Sequence, residues 1–117
     1  MFRTMLKSKI QKAKVTQTNL EYSGSISIDP DILEASDIIP NEKVQVVNLN
    51  NSSRIETYAI PGKRGSGMIG MNGGAARHAV VGDKLLIMSY VITETKDAIG
   101  HTPKIIALDD NNKIIGK

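Results

Sequence analysis

Apolar and polar residues alternate with a period of two along most of this chain, and that alternation limits what it can fold into. In a β-strand, alternate side chains lie on opposite faces, so period two predicts half-buried strands. Strands are predicted over residues 5–17, 25–28, 43–49, 54–60, 68–71, 85–93, 104–108 and 114–115. We therefore expect a mainly β protein with short helices, for which a small barrel is the natural closure.

Cap and turn signals separate these strands. Asp29-Pro30 combines an N-cap residue with a proline suited to the first helical position, and it predicts a short helix over residues 31–35. Three further segments are rich in Asn, Asp or Gly and predict turns, at 50–53, 72–77 and 109–112. The middle one should lead into a single helical turn.

The chain is short and poor in aromatic residues. It has 117 residues, with three tyrosines, one phenylalanine and no tryptophan, so its core must be built from Ile, Val, Leu and Met. This length fits one domain, residues 1–117, with a thin core. Small cores are often supported by oligomerisation, so we expect an oligomer.

Several classes of protein are excluded or disfavoured. The chain has no cysteine, which excludes disulfides, thiolate nucleophiles and Cys-type zinc sites and suits a reducing compartment. No apolar run approaches the roughly 20 residues that span a bilayer. The segment Met1–Lys9 lacks the apolar core of a signal peptide. We expect a cytoplasmic protein without a membrane span.

The net charge is mildly positive, with 15 Lys and Arg against 12 Asp and Glu. A solvated strand face explains the basic residues near the start better than a nucleic-acid surface, which needs denser charge and interleaved aromatics. An anionic small-molecule substrate also suits this charge. The basic residues concerned are Arg3, Lys7, Lys9, Lys12 and Lys14.

The two histidines, His78 and His101, are far apart in the sequence and have no accompanying carboxylate pattern. We therefore expect no metal site. A Ser/His/Asp triad is no better supported.

The dipeptide Gly24-Ser25 is ordinarily a turn, but it also permits one specific reaction. Ser25 Oγ can attack the carbonyl carbon of Gly24 and convert the amide into an ester, and glycine has no Cβ to block the attack. Elimination across the Cα–Cβ bond of Ser25 then releases the Gly24 carboxylate. Hydrolysis of the dehydroalanine leaves a pyruvoyl group at the new N-terminus.

Two other segments carry groups that can bind an anion. In a strand, Arg54 and Tyr58 share one face, offering a planar fork for a carboxylate and a phenol that can give a proton. The ordinary alternative is an exposed pair on a hairpin. Residues 72–76, Asn-Gly-Gly-Ala-Ala, can form a nest of backbone N–H groups, although a plain turn fits this motif better and no phosphate-loop pattern is present.

The order and spacing of six motifs resemble the bacterial aspartate 1-decarboxylases. The resemblance runs from Met1 to about Tyr90, and the Tyr-x-Gly-Ser cleavage segment is its most specific part. The motifs are Met1–Lys9, Tyr22-Ser-Gly-Ser25, Arg54-x-x-Thr57-Tyr58, Arg64-Gly-Ser66, Asn72-Gly-x-Ala-Ala76 and Val81-Gly-Asp83.

This resemblance implies a six-stranded double-psi β-barrel, assembled as a homotetramer with active sites between subunits. It implies self-cleavage into residues 1–24 and 25–117, which makes a pyruvoyl cofactor from Ser25. That group would form a Schiff base with L-aspartate, giving β-alanine and CO₂ for pantothenate and coenzyme A synthesis. The electron-sink role is the one that pyridoxal phosphate plays elsewhere.

The resemblance also assigns roles to residues. Tyr58 would donate a proton, and Lys9 and Arg54 would face the substrate's carboxylates. The remaining substrate-binding positions would be Thr57, Asn72, Gly73, Gly74 and Ala75.

This chain departs from the family pattern at four positions. Gly74 stands where we expect Ala, which predicts a looser substrate loop. Gln11 and Glu21 stand where relatives often have His, and Ile26 replaces a frequent Cys.

Two alternatives stay open at this point. One is a non-catalytic β-barrel that binds nucleic acid or a protein partner, for which the basic residues of positions 5–14 are the motive. The other is a pyruvoyl decarboxylase acting on a different amino acid. Whether a helper protein assists cleavage is also left open by the sequence.

Overall fold

The computed structural model describes residues 1–115, which form a β-sheet structure with short helices. The helices are α1 (Pro30–Ser36), α2 (Thr95–Ala98) and a 3₁₀ helix at Gly73–His78. The strands of the described residues are β1 (Phe2–Lys14), β2 (Gln17–Asn19), β3 (Ile26–Ile28), β4 (Lys43–Asn48), β5 (Arg54–Pro61), β6 (Ile69–Asn72), β7 (Lys84–Glu94), β8 (Lys104–Leu108) and β9 (Ile114–Ile115).

These strands are hydrogen-bonded in the order β2-β6-β3-β5-β4-β7-β1-β8-β9. The long strand β7 is antiparallel to both β1 and β4. The short strand β3 lies between β5, to which it is parallel, and β6, to which it is antiparallel. The sheet therefore brings residues that are distant in sequence against both edges of β3.

The mainly β prediction is confirmed. Three of the nine strands in residues 1–115, namely β2, β3 and β9, have three residues or fewer. The six-stranded double-psi barrel stays a prediction. No helix formed by residues 1–115 has the length and apolar character to cross a membrane.

The buried core consists of aliphatic residues and methionine, as the composition predicted. Its largest fully buried side chains come from the strands, from α1 and from the link between β1 and β2. They are Ile10, Val15, Ile26, Ile28, Ile32, Val44, Val46, Ile69, Met71, Leu85, Ile87 and Leu108.

Local sequence signals predicted several elements well. α1 begins at Pro30 with Asp29 as its N-cap, whose side chain accepts a hydrogen bond from the Asp31 N–H. β4 and β5 form the predicted hairpin, with Val47 opposite Arg54. β8 has the predicted bounds, and β9 pairs with it across the predicted turn.

The single strand predicted for residues 5–17 is wrong, because the chain divides there into β1 and β2. Lys12 has a left-handed φ of 63°, and the pairing of β1 with β7 shifts register between Ile10 and Ala13. After β1 the chain leaves β7, since the Thr16 N–H donates at 2.8 Å to the carbonyl of Ile69, the first residue of β6. β2 and α2 were not predicted.

Asp29 fastens the end of β3 to the loop of residues 61–67. This residue is 2% exposed, and its carboxylate accepts hydrogen bonds from the backbone N–H groups of Asp31 (2.9 Å), Gly65 (3.0 Å) and Gly67 (2.8 Å). Burial alone would raise the pKa of this carboxyl. The three backbone donors, together with the nearby charge of Lys113, outweigh burial and hold the pKa of Asp29 below its ordinary value.

Replacing Asp29 with asparagine tests this anchor. A lowered folded-state pKa contributes stability above the pKa of the unfolded chain, and that contribution is lost as pH falls through the folded-state pKa. We expect Asp29→Asn to lower the free energy of unfolding at pH 7 by about 1.5–3 kcal/mol, the range for hydrogen bonds to charged groups. In urea unfolding at equal protein concentration, the difference from wild type should shrink as pH is lowered. A difference independent of pH would show that the charge of Asp29 is not what stabilises the loop.

Candidate active site

The peptide bond between Gly24 and Ser25 lies directly before β3 in an unusual backbone conformation. Gly24 has a φ of 113° and Ser25 a φ of 86°. Glycine adopts such angles readily, but for a residue with a Cβ the left-handed region is strained. Strain of this kind is characteristic of functional sites. The conformation therefore marks Ser25 as a position that its surroundings hold in place.

Asn72, at the end of β6, makes two of the hydrogen bonds that hold Ser25 in place. Its backbone N–H donates to the Ser25 carbonyl at 3.1 Å, and its side-chain Nδ2 donates to Ser25 Oγ at 3.1 Å and to Ser27 Oγ at 2.9 Å. Asn72 and Ser25 are each 1% exposed. Because Ser25 Oγ accepts from Asn72, its own hydrogen stays available to be given up.

Gly73 lies against the backbone just before the Gly24–Ser25 peptide bond. A Cβ at Gly73 would lie 2.6 Å from the Gly24 nitrogen and 2.6 Å from the Tyr22 carbonyl oxygen, and its φ is 59°. Gly74, in contrast, has no neighbouring atom within 4 Å of a Cβ position. Gly73 is thus required by close approach, whereas an alanine at 74 would fit without contact.

β5 places Tyr58 beside the Gly24–Ser25 peptide. β3 runs parallel to β5 with Ile26 opposite Ala59, so the residues just before each lie side by side. A Cβ on Gly24 would lie 3.9 Å from the Tyr58 hydroxyl. The phenol of Tyr58 therefore lies next to the Gly24–Ser25 peptide.

These elements border an open cleft of about 470 Å³. It contains six of the predicted site residues, while Asn72 bonds Ser25 and Gly73 lies against the backbone of Gly24. The lining residues are Gly24, Ser25, Ile55, Glu56, Thr57, Tyr58, Gly74, Ala75 and His78.

Lys9 and Arg54 are not among the residues that line this cleft in one chain. Arg54 Nη1 donates to Gln45 Oε1 at 2.9 Å, and Lys9 lies on β1 opposite Met88 of β7. Their contact with substrate stays a prediction, as does the subunit boundary at which the resemblance places it.

Sequence reasoning missed three lining residues: Ile55, Glu56 and His78. Glu56 could have been found, because it alternates with Arg54 and Tyr58 on the same strand face. Its carboxylate lies 3.2 Å from Lys43 Nζ. His78 was considered only as a metal ligand. Within residues 1–115, no three His, Asp or Glu side chains come together as a metal site.

Proteins of similar sequence agree with the enzyme site that the geometry indicates. Residues 1–115 match the profile of a family described as aspartate decarboxylase. The protein named aspartate 1-decarboxylase in Listeria welshimeri is 60% identical to this chain, and the match covers 97% of this chain and 90% of that protein. The protein of the same name in Carboxydothermus hydrogenoformans is 56% identical, over 98% of this chain and 91% of its own length. The one in Bacillus subtilis is 54% identical, over 97% of this chain and 90% of its own length.

The contrast between the two adjacent glycines can be tested directly. Gly73→Ala should displace residues 22–24 or the 3₁₀ helix, because the added Cβ meets backbone atoms and the residue keeps a positive φ. We expect it to lower the free energy of unfolding by about 1–3 kcal/mol, the range for a residue held at strained backbone angles. Gly74→Ala is the matched control and should leave stability unchanged. Equal unfolding midpoints for both variants in urea would show that the close approach at Gly73 is not needed.

Proposed function

Since the chain belongs to the aspartate decarboxylase family, we propose that it removes the α-carboxyl group of L-aspartate and releases β-alanine and CO₂. The observation that carries this proposal is the Gly24–Ser25 peptide, held at positive φ angles beside Tyr58 in an open cleft. An ordinary turn does not require a buried serine whose hydroxyl is held by a buried asparagine.

We propose that this peptide cleaves itself. Ser25 Oγ attacks the carbonyl carbon of Gly24, the C–N bond breaks, and the freed nitrogen becomes the α-amine of Ser25. Loss of the Ser25 α-proton then expels the Gly24 carboxylate from Cβ and leaves dehydroalanine. Tautomerisation, addition of water and loss of ammonia convert residue 25 into a pyruvoyl group at the start of residues 25–117.

The surroundings of residue 25 support such a group. Asn72 holds both the carbonyl and the Oγ of Ser25, and the glycine at 73 gives the backbone room to approach. The pyruvoyl group would supply an electron sink for loss of CO₂, without an external cofactor. The chain's own part is to orient the substrate in the cleft and to return a proton to its α carbon.

Residues of the cleft divide these tasks. We assign the proton to Tyr58 and substrate contacts to Thr57, Gly74 and Ala75, all of which line the cleft. Asn72 positions the reacting residue through its hydrogen bonds, and Gly73 lets the 3₁₀ helix approach the backbone of Gly24. We assign Lys9 and Arg54 to the substrate's carboxylates, with the rest of the site supplied across a subunit boundary in a homotetramer.

The metabolic setting belongs to the same proposal. β-Alanine made here would enter pantothenate and coenzyme A synthesis in the cytoplasm, which agrees with the absence of cysteine from the sequence. A binding module without catalysis would stay one uncut chain, so intact mass separates that alternative from the enzyme.

Self-cleavage is the first test. Mass spectrometry of the mature protein should find fragments 1–24 and 25–117, the larger lacking a free amino terminus. Ser25→Ala should remain one chain of about 12.7 kDa and release no β-alanine, because no hydroxyl is left to attack. Ser27→Ala is the matched control: it also loses an acceptor for Asn72 but keeps the nucleophile, and it should still cleave. Fully active, uncut wild-type protein would refute the proposal.

Tyr58→Phe tests the proton donor. The change removes the hydroxyl and keeps the ring, so cleavage at Gly24–Ser25 should survive. β-Alanine release should fall by roughly 10²–10⁴-fold, the usual contribution of a positioned general acid. Both readouts are measured on one preparation, by intact mass and by product assay. Normal release would assign the proton to another donor, and loss of cleavage would place Tyr58 in maturation instead.

A further inference from the structure

His78 lines the cleft together with Ser25 and Tyr58, yet the reaction described above gives it no task. It is the last residue of the 3₁₀ helix that follows Asn72, and its side chain is exposed. The second histidine, His101, lies elsewhere, with Nε2 hydrogen-bonded to the Leu6 carbonyl at 2.8 Å. Of the two histidines, His78 therefore has access to the cleft and His101 does not.

The turn between β4 and β5 holds His78 from two sides. The His78 carbonyl accepts hydrogen bonds from Asn48 Nδ2 at 2.9 Å and from Asn51 Nδ2 at 3.0 Å. Its ring Nδ1 lies 2.7 Å from Ser53 Oγ. Backbone and ring are thus both held in place beside the cleft.

The Ser53 contact leaves the other ring nitrogen available. When the Ser53 hydroxyl donates to Nδ1, the neutral imidazole carries its hydrogen on Nε2 and becomes a donor there. Among the side chains that line the cleft in residues 1–115, His78 alone offers a nitrogen donor. Glu56 is an acceptor already paired with Lys43, and Thr57 and Tyr58 offer hydroxyl groups.

We propose that His78 is a substrate-binding residue, whose Nε2–H donates to the side-chain carboxylate of a dicarboxylic amino acid, with Ser53 fixing the tautomer. This inference rests on the proposed function. The retained carboxylate is the better partner, because a donor on the departing carboxylate would stabilise the ground state and lose its contact as CO₂ forms. His78 therefore contributes to selecting a substrate with an anionic side chain.

Steady-state kinetics with L-aspartate on fully cleaved protein test the proposal. His78→Leu removes the donor and should raise KM by roughly 10- to 100-fold, the effect of one hydrogen bond to a charged group, with kcat little changed. His78→Gln retains an N–H and should recover much of the wild-type KM. His101→Gln is the matched control and should behave as wild type.

Ser53→Ala provides a second, independent measurement. It leaves the imidazole in place but removes the group that fixes its tautomer, so KM should rise less than in His78→Leu. In the double variant the two changes should not add, because Ser53 acts only through His78. Additive changes in KM would show that Ser53 supports the fold and does not act through the His78 imidazole.

The outcomes separate this inference from the function on which it rests. If wild type neither cleaves nor releases β-alanine, the proposed function fails. If wild type does both and His78→Leu has a wild-type KM, or if His78→Gln is as impaired as His78→Leu, the inference fails. Loss of self-cleavage in His78→Leu with a wild-type KM in Ser53→Ala would also overturn it, by placing His78 in maturation.

Discussion

The rest of the site depends on the pairing of one short strand, β3, with a neighbour on each edge. Ile26 is opposite Ala59 of β5 on one side and Met71 of β6 on the other, and it is fully buried. Two ladders fix the strand's register, so the residue before it, Ser25, can occupy only one place. Asn72 reaches Ser25, and Tyr58 reaches the adjacent Gly24, because each lies next to the paired residue of its own strand.

Both ends of β3 are also held by polar contacts. At the start, Asn72 bonds the carbonyl and hydroxyl of Ser25. At the end, the Asp29 carboxylate gathers three backbone N–H groups from α1 and the loop of residues 61–67. A three-residue strand gains little free energy from its own backbone pairing. The polar contacts at its two ends therefore explain how it can follow directly after a strained residue, Ser25. Loss of the Asp29 hydrogen bonds should therefore disturb the position of residues in the cleft as well as in the loop.

Local signals predicted what depends on neighbours in sequence, and they failed where distant contacts decide. Asp29-Pro30 placed α1 correctly, because capping is a property of adjacent residues. The break between β1 and β2 depends on bonds from Thr16 to Ile69, which no local pattern reveals. His78 was missed for the same reason: Asn48 and Ser53, distant in sequence, hold it at the cleft.

The positive φ at Ser25 has a particular meaning if this peptide cleaves itself. The angle is defined by the carbonyl carbon of Gly24, so it exists only while the two residues are joined. A non-glycine residue in this region stores of order 1–3 kcal/mol, which β3 and Asn72 maintain in the uncut chain. Attack by Ser25 Oγ breaks the bond that defines the angle, so the strain disappears during the reaction. The strain at Ser25 therefore raises the free energy of the precursor and is absent from the cleaved protein. This difference favours cleavage and opposes its reversal.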